Sequence, residues 1–172
     1  MKKYELTKEK ETLADGTVLH RIRALRDIPR FCVKAGELGG FVEGENNLSQ
    51  DGDAWVYGNA CVYGDAEVYG NAWVYGNARV FGNANVSSDA EVSGYADYMV
   101  IKNIWSSGRW FTYTSSNKKW AVGCFYGTGE ELVAKAYKDS KLSGKCYEAI
   151  VHAVETIEAA KAEAKGESNG SK

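Results

Sequence analysis

A six-residue period dominates the middle of the chain. Between positions 53 and 97, alanine recurs at every sixth position, and valine follows each of the first seven alanines by two positions. The alanines are Ala54, Ala60, Ala66, Ala72, Ala78, Ala84, Ala90 and Ala96, and the valines are Val56, Val62, Val68, Val74, Val80, Val86 and Val92. Side chains two positions apart lie on the same side of an extended strand. The period therefore predicts short strands with small and β-branched side chains inside, repeated in a stacked architecture.

Glycine followed by Asn or Asp marks the end of each unit. These pairs begin at Gly58, Gly64, Gly70, Gly76 and Gly82. Because these residue types tolerate left-handed backbone angles, each pair predicts a corner. The unit Val56-Tyr57-Gly58-Asn59-Ala60 resembles the hexapeptide repeat of left-handed parallel β-helices. The resemblance implies three hexads per triangular coil, so we expect a mainly β chain built on a left-handed parallel β-helix over residues 32–101.

The repeat departs from that family at the position after valine, where large rings replace small side chains. Stacking at eighteen residues would place Trp55 over Trp73 and Tyr57 over Tyr75 on one face of the coils. These rings could stabilise the stacking, form the interface of a homo-oligomer such as the trimers common in the family, or line a ligand groove. The candidate ligand or interface residues are Trp55, Tyr57, Trp73, Tyr75, Tyr63, Arg79 and Phe81.

Different modules flank the repeat. Two apolar segments around Asp15-Gly16 predict an N-terminal hairpin cap over residues 1–31. Two alternating segments, a Thr-x-x-Glu capping box at Thr128 and two stretches with helical spacing predict a ββαα module over residues 102–164. The tail over residues 165–172 is polar and we expect it to be disordered.

The C-terminal module resembles an uncharacterised domain of small phage and prophage proteins, which often accompanies hexapeptide-like repeats. The likeness rests on the motifs Val122-Gly123-Cys124-Phe125-x-Gly127-Thr128, Ala136-Tyr137-Lys138-Asp139-Ser140 and Leu38-Gly39-Gly40-Phe41-Val42-Glu43. It implies a virus-encoded protein made in the cytoplasm of a bacterial host.

The charge, the apolar content and the cysteines of the chain limit which kinds of partner we expect it to bind. The net charge of −2 gives no strong field for nucleic acid or an anionic membrane. The polar first residues predict no secretory signal, and no apolar run approaches the length of a membrane span. The four cysteines are widely spaced, so we expect free thiols in a reducing cytosol, and no metal site.

The position of the two histidines and the unbroken repeat both argue against an enzyme. Left-handed β-helices include acyltransferases in which a histidine acts as general base. This chain has only His20 and His152, and neither lies in the repeat. The unbroken hexads also leave no room for the loop that builds the active site in those enzymes. We therefore expect no catalytic residues and no cofactor.

Binding is the remaining class of function. A second candidate ligand site combines cations with rings: Arg109, Trp110, Tyr113, Lys119 and Trp120. Such groups can stack a base and neutralise a phosphate, although the two tryptophans could equally form the module's core. The leading hypothesis is a non-enzymatic phage protein that antagonises a host function, namely defence, by sequestering a nucleotide-type immune signal or occluding a host protein. A structural or virion accessory oligomer is the alternative, and an acyltransferase-like enzyme is the second.

Overall fold

The chain folds as a mixture of small sheets and helices. The computed structural model describes the backbone of residues 2–169 and the side chains of residues 2–164. They form a mixed five-stranded sheet, small parallel sheets of three and two strands, an antiparallel four-stranded sheet and two C-terminal helices. The predicted class, mainly β with a left-handed parallel β-helix, is therefore wrong. Each hexad contributes a strand of only two residues, so the repeat divides among separate small sheets.

Three longer strands open the chain. β1 (Tyr4–Thr12) and β2 (Val18–Ala24) pair antiparallel around a turn that contains Gly16 at a φ of +90°. β3 (Leu38–Val42) pairs antiparallel with β2. Its Phe41 and Val42 also pair in parallel with Cys61 and Val62 of the repeat. The hairpin is thus joined to the repeat through one continuous sheet.

Seven two-residue strands form the repeat stack, residues 54–92. They are β4 (Trp55–Val56), β5 (Cys61–Val62), β6 (Glu67–Val68), β7 (Trp73–Val74), β8 (Arg79–Val80), β9 (Asn85–Val86) and β10 (Glu91–Val92). Residues eighteen apart are parallel partners: β4, β7 and β10 share one sheet, β8 extends β5, and β9 pairs with β6. The alanine and valine of every unit are buried. The buried alanines and valines of each eighteen-residue turn therefore pack against those of the preceding turn.

The corners of the stack depend on glycine. The glycines at 52, 58, 64, 70, 76 and 82 have φ between +67° and +69°, a region that side chains with a Cβ enter only at a cost. Ser88 occupies the equivalent place above Gly70 at a φ of +59°. The repeat ends soon afterwards, and Ala96 is exposed in a short 3-10 turn rather than buried in another hexad.

The N-terminal segment covers the first turn of the stack. The Tyr4 hydroxyl donates to the carbonyl oxygen of Leu48 at 2.7 Å. The Lys3 ammonium is buried and donates to the carbonyl oxygen of Ala54 at 2.7 Å. Burial, with a smaller contribution from the nearby Arg26 guanidinium, lowers the pKa of the Lys3 ammonium to about 8.

The C-terminal module has four strands rather than the predicted two. β11 (Tyr98–Lys102), β12 (Trp110–Thr114), β13 (Lys119–Val122) and β14 (Phe125–Gly127) form an antiparallel sheet in chain order. Phe111, Trp120 and Leu132 are at the centre of a core separate from that of the repeat stack. The sheet therefore has one face on its own helices, and its other face can meet the repeat.

Two helices complete the module. α1 (Gly129–Asp139) begins with the predicted capping box, in which Thr128 accepts from the Glu131 amide and the Glu131 carboxylate accepts from the Thr128 amide. α2 runs from Lys141 to Asn169, so it includes five residues of the predicted disordered tail; residues 170–172 lie outside the described residues. Neither helix of the described chain is long and apolar enough to cross a membrane.

Side-chain oxygens of the C-terminal module cap the last strands of the repeat stack. Thr112 Oγ1 accepts from the Asn85 amide of β9 at 2.9 Å, and Ser116 Oγ accepts from the Glu91 amide of β10 at 2.8 Å. The Tyr98 hydroxyl donates to the Arg79 carbonyl oxygen of β8 at 3.0 Å. All three strands at this end of the stack thus receive a side-chain partner in place of a further strand.

Alanine substitutions at two corner glycines of the repeat stack can distinguish two costs: that of a positive φ for a residue with a Cβ, and that of a clash between the Cβ and the next corner. A Cβ on Gly52 would lie 2.4 Å from the Gly70 carbonyl oxygen, whereas a Cβ on Gly58 would lie 3.4 Å from its nearest neighbour. Because both have positive φ, Gly58→Ala should lower the free energy of unfolding by about 1 kcal/mol. Gly52→Ala should lower it by clearly more. Urea denaturation of both variants measures the difference, and equal losses would contradict the close stacking of corners.

The buried Lys3 ammonium predicts a pH-dependent stability. Its folded-state pKa of about 8 lies below the ordinary value of 10.5, so the unfolded chain binds more protons between these values. The free energy of unfolding should therefore rise with pH above 8, by up to about 1.4 kcal/mol per pH unit, relative to Lys3→Met. Urea denaturation of both proteins from about pH 7.5 to about pH 9.5 tests this. Parallel pH profiles would show that the ammonium is not desolvated by folding.

Candidate functional site

The first predicted aromatic face is largely covered. Trp55 is fully buried, and its ring meets the edge of the Tyr4 ring at 6.5 Å between centroids. Trp73 is half-buried between Phe31, at 5.2 Å, and Tyr75, at 4.2 Å. Although Trp55 and Trp73 are strand partners, the N-terminal segment lies over them. The open surface predicted here is therefore reduced to Tyr57, which is exposed, and the half-buried Tyr75.

The second face of the stack carries an exposed stacked pair. The rings of Tyr63 and Phe81, eighteen residues apart, lie 5.3 Å apart and within 10° of parallel. Phe81 is 50% exposed, and Arg79 beside it is exposed as well. This column needs no external support because the pairing of β5 with β8 sets the two rings one strand spacing apart.

The second predicted set divides between core and surface. Tyr113 and Trp120 are buried in the core of the C-terminal module. Trp110 is exposed and points to the opposite side of β12 from Phe111, as strand alternation requires. Arg109 is exposed, and Lys119 is half-buried. Only Arg109 and Trp110 therefore remain as surface candidates with clear access.

The fold brings one residue of each candidate set to the same place. Phe81 of the repeat stack and Trp110 of the C-terminal sheet line a single open groove of about 370 Å³. We call it the aromatic groove. Its remaining walls are Gly82, Asn83, Tyr95, Tyr98 and Val100. Tyr95 is 90% exposed. The aromatic groove thus lies at the seam between the two halves of the chain, where neither half alone would form it.

The rim of the aromatic groove is fixed by hydrogen bonding and carries a positive charge. The Tyr98 hydroxyl donates to the Arg79 carbonyl oxygen, and burial raises the pKa of this phenol above its ordinary value, so it keeps its proton. The Lys102 ammonium lies 5.2 Å from the centre of the Trp110 ring, within the range of a cation–π contact. An aromatic or apolar group that enters the groove would therefore meet rings flanked by a cation.

A second depression, the side pocket, adjoins the aromatic groove and shares Asn83 and Trp110 with it. It encloses about 310 Å³ and is also lined by Asp65, Glu67, Asn85, Arg109, Ala121 and Gly123. Asp65 accepts from the Asn83 amide group at 3.1 Å. The side pocket thus has a more polar lining than the aromatic groove, and Trp110 and Asn83 belong to both.

Sequence reasoning missed Tyr95, Tyr98 and Val100. The alternation of Tyr98 and Val100 with Met99 and Ile101 signals a strand with two different faces. The core of the repeat packs against Tyr98 and Val100, whereas Met99 and Ile101 pack on the core of the C-terminal module. The alternation was visible in the sequence, but the sequence around this strand does not indicate which of its two faces packs against the repeat.

The histidines and cysteines do not line the aromatic groove. His20 is half-buried on β2, and His152 is exposed on α2. All four cysteines are free thiols, and Cys61 is the buried one. Among the residues that the structure describes, no group of three or more His, Cys, Asp or Glu side chains could hold a metal ion. The walls of the aromatic groove offer ring faces, the phenol groups of Tyr95 and Tyr98, and the side-chain amide of Asn83.

Truncation should separate the covered rings from the exposed ones. Trp55→Ala removes a fully buried indole and should lower the free energy of unfolding by about 3–5 kcal/mol. Phe81→Ala removes a half-exposed ring and should cost about 1 kcal/mol or less. Thermal or urea unfolding of the two variants measures the difference. If Trp55→Ala retained full stability, the N-terminal segment would not cover this indole in solution.

In comparisons with known proteins, no family model matches the chain, and no curated protein matches it.

Proposed function

We propose that the chain is a non-enzymatic binding protein, encoded by a phage, that antagonises a defence function of its bacterial host by holding a target at the aromatic groove. The observation that carries this proposal is the convergence of Phe81 and Trp110 on one open groove. Large exposed rings are costly to leave in water and are enriched at binding sites. The phage origin rests on the resemblance of the C-terminal motifs.

Two targets fit such a protein: a nucleotide-type immune signal, which it would sequester, and a host protein, which it would occlude. The volume of the aromatic groove lies in the range of small-molecule sites, which are mainly apolar with a few polar groups. The polar side pocket next to it supplies such groups. These features favour the sequestered small ligand as the target.

The walls of the aromatic groove also support a binding role over a catalytic one. They contain no histidine, cysteine, lysine or carboxylate, the side chains that most often act as general acid, general base or nucleophile. A protein that only binds acts stoichiometrically, so its effect in the host should scale with its amount.

Target capture from bacteria tests this proposal. The tagged wild-type chain, the double variant Phe81→Ala/Trp110→Ala and the single variant Tyr57→Ala are purified from cells in which the protein is made during infection. Tyr57 is the matched control because it is an exposed ring outside the aromatic groove. Native mass spectrometry should show an added ligand mass or a bound host protein on the wild type and on Tyr57→Ala, and neither on the double variant.

Two outcomes would contradict the proposal. One is an equal yield of target on the double variant, which would place binding elsewhere on the molecule. The other is a wild-type chain without a target that is found as an oligomer in purified virions, which would favour the structural alternative. Circular dichroism of each variant verifies that the folds are comparable.

A further inference from the structure

We infer that the aromatic groove and the side pocket together form one ribonucleotide site, in which the base lies in the aromatic groove and the phosphate and ribose lie in the side pocket. This inference rests on the proposed binding function and adds the class of ligand and its orientation. The two depressions share Trp110 and Asn83 as a common wall. One ligand with an apolar and a polar half can therefore occupy both.

The base belongs in the aromatic groove because its walls are rings. Phe81 has Tyr63 stacked on one side, and the Lys102 ammonium lies beside the Trp110 ring. Every nucleobase offers a flat face on which such rings can stack. The amide of Asn83 lies at the junction of the two depressions, where it could exchange hydrogen bonds with the edge of a base.

The phosphate belongs near Arg109. This guanidinium lines the side pocket and is exposed. The ion pairs among the described residues involve other cations, so no described carboxylate lies within ion-pair distance of Arg109, although Asp65 and Glu67 line the same pocket. A planar guanidinium with free donors binds phosphate oxygens in a bidentate manner. The Lys102 ammonium lines neither depression but adds a second positive charge 5.2 Å from the centre of the shared Trp110 ring.

The ribose belongs between the phosphate and the base, on the wall that carries Asp65 and Glu67. Both carboxylates are exposed and line the side pocket. Asp65 already accepts from the Asn83 amide group, whereas Glu67 has no such hydrogen bond among the described side chains. Carboxylates repel a phosphate but accept hydrogen bonds from the sugar hydroxyls. They therefore favour a ribonucleotide whose phosphate points to Arg109 and away from this wall.

Titration with defined ligands tests the inference. The probes are AMP, GMP, CMP and UMP, followed by the nucleoside and the 2′-deoxynucleotide that correspond to the tightest of the four. Binding is followed by tryptophan fluorescence and by calorimetry. We expect at least one mononucleotide to bind with a dissociation constant below about 1 mM, and its nucleoside to bind about tenfold or more weakly because the phosphate contact is lost. The 2′-deoxynucleotide should bind about two- to tenfold more weakly.

Three variants assign the parts of the ligand. Arg109→Gln should remove the preference for the nucleotide over the nucleoside, and Glu67→Ala, which leaves no acceptor, should remove the preference for the ribose over the deoxyribose. Lys119→Gln is the matched control because this cation of the neighbouring strand lines neither depression. It should leave both preferences unchanged.

The result can separate this inference from the proposed function. Absence of binding by all four mononucleotides at about 1 mM, or preferences unaffected by Arg109→Gln and Glu67→Ala, would overturn the ribonucleotide site. If target capture from cells still required Phe81 and Trp110, the binding function would stand with another target, such as a host protein. If capture did not require them, both proposals would fall.

Discussion

The rest of the structure depends on how the open end of the repeat stack is closed. Parallel strands that end a stack leave backbone amides and carbonyls without partners, and burying them unpaired would cost about 1–3 kcal/mol each. Here Thr112, Ser116 and Tyr98 supply side-chain oxygens to β9, β10 and β8. Because hydroxyl groups replace a further turn of strands, the repeat can stop while an unrelated antiparallel sheet docks on it.

The same contacts position the candidate site. Residues two apart on β12 share a face, so the hydrogen bond that fixes Thr112 on Asn85 also directs Trp110 toward the repeat. On the opposite side, the pairing of β5 with β8 holds Phe81 on Tyr63. The two rings line one groove because the period of eighteen residues in the stack places Phe81, and the period of two in the sheet places Trp110, at the same seam.

The sequence patterns predicted the local and repeated elements of the structure, but they did not predict the contacts between distant parts of the chain. The hexad spacing predicted the pairing of residues eighteen apart and the corners at glycine, and the capping box of α1 was visible at Thr128. The assignment of residues 32–101 to a left-handed parallel β-helix within a mainly β chain failed because the two-residue strands of the repeat divide among separate small sheets. For the site, Phe81 and Trp110 were candidates in separate sets. Their meeting, and the covering of Trp55 by Tyr4, depend on long-range packing that no period encodes.

Native-state amide hydrogen exchange at Asn85 tests the capped end most directly. This amide donates to Thr112 Oγ1, whereas the equivalent amide one turn earlier, that of Glu67, donates to the Ala84 carbonyl oxygen inside the stack. If the side-chain cap replaces a strand, both amides should exchange slowly and to a similar degree. An Asn85 amide that exchanges as fast as an unstructured peptide, while that of Glu67 remains protected, would contradict the docking of the sheet and the site that depends on it.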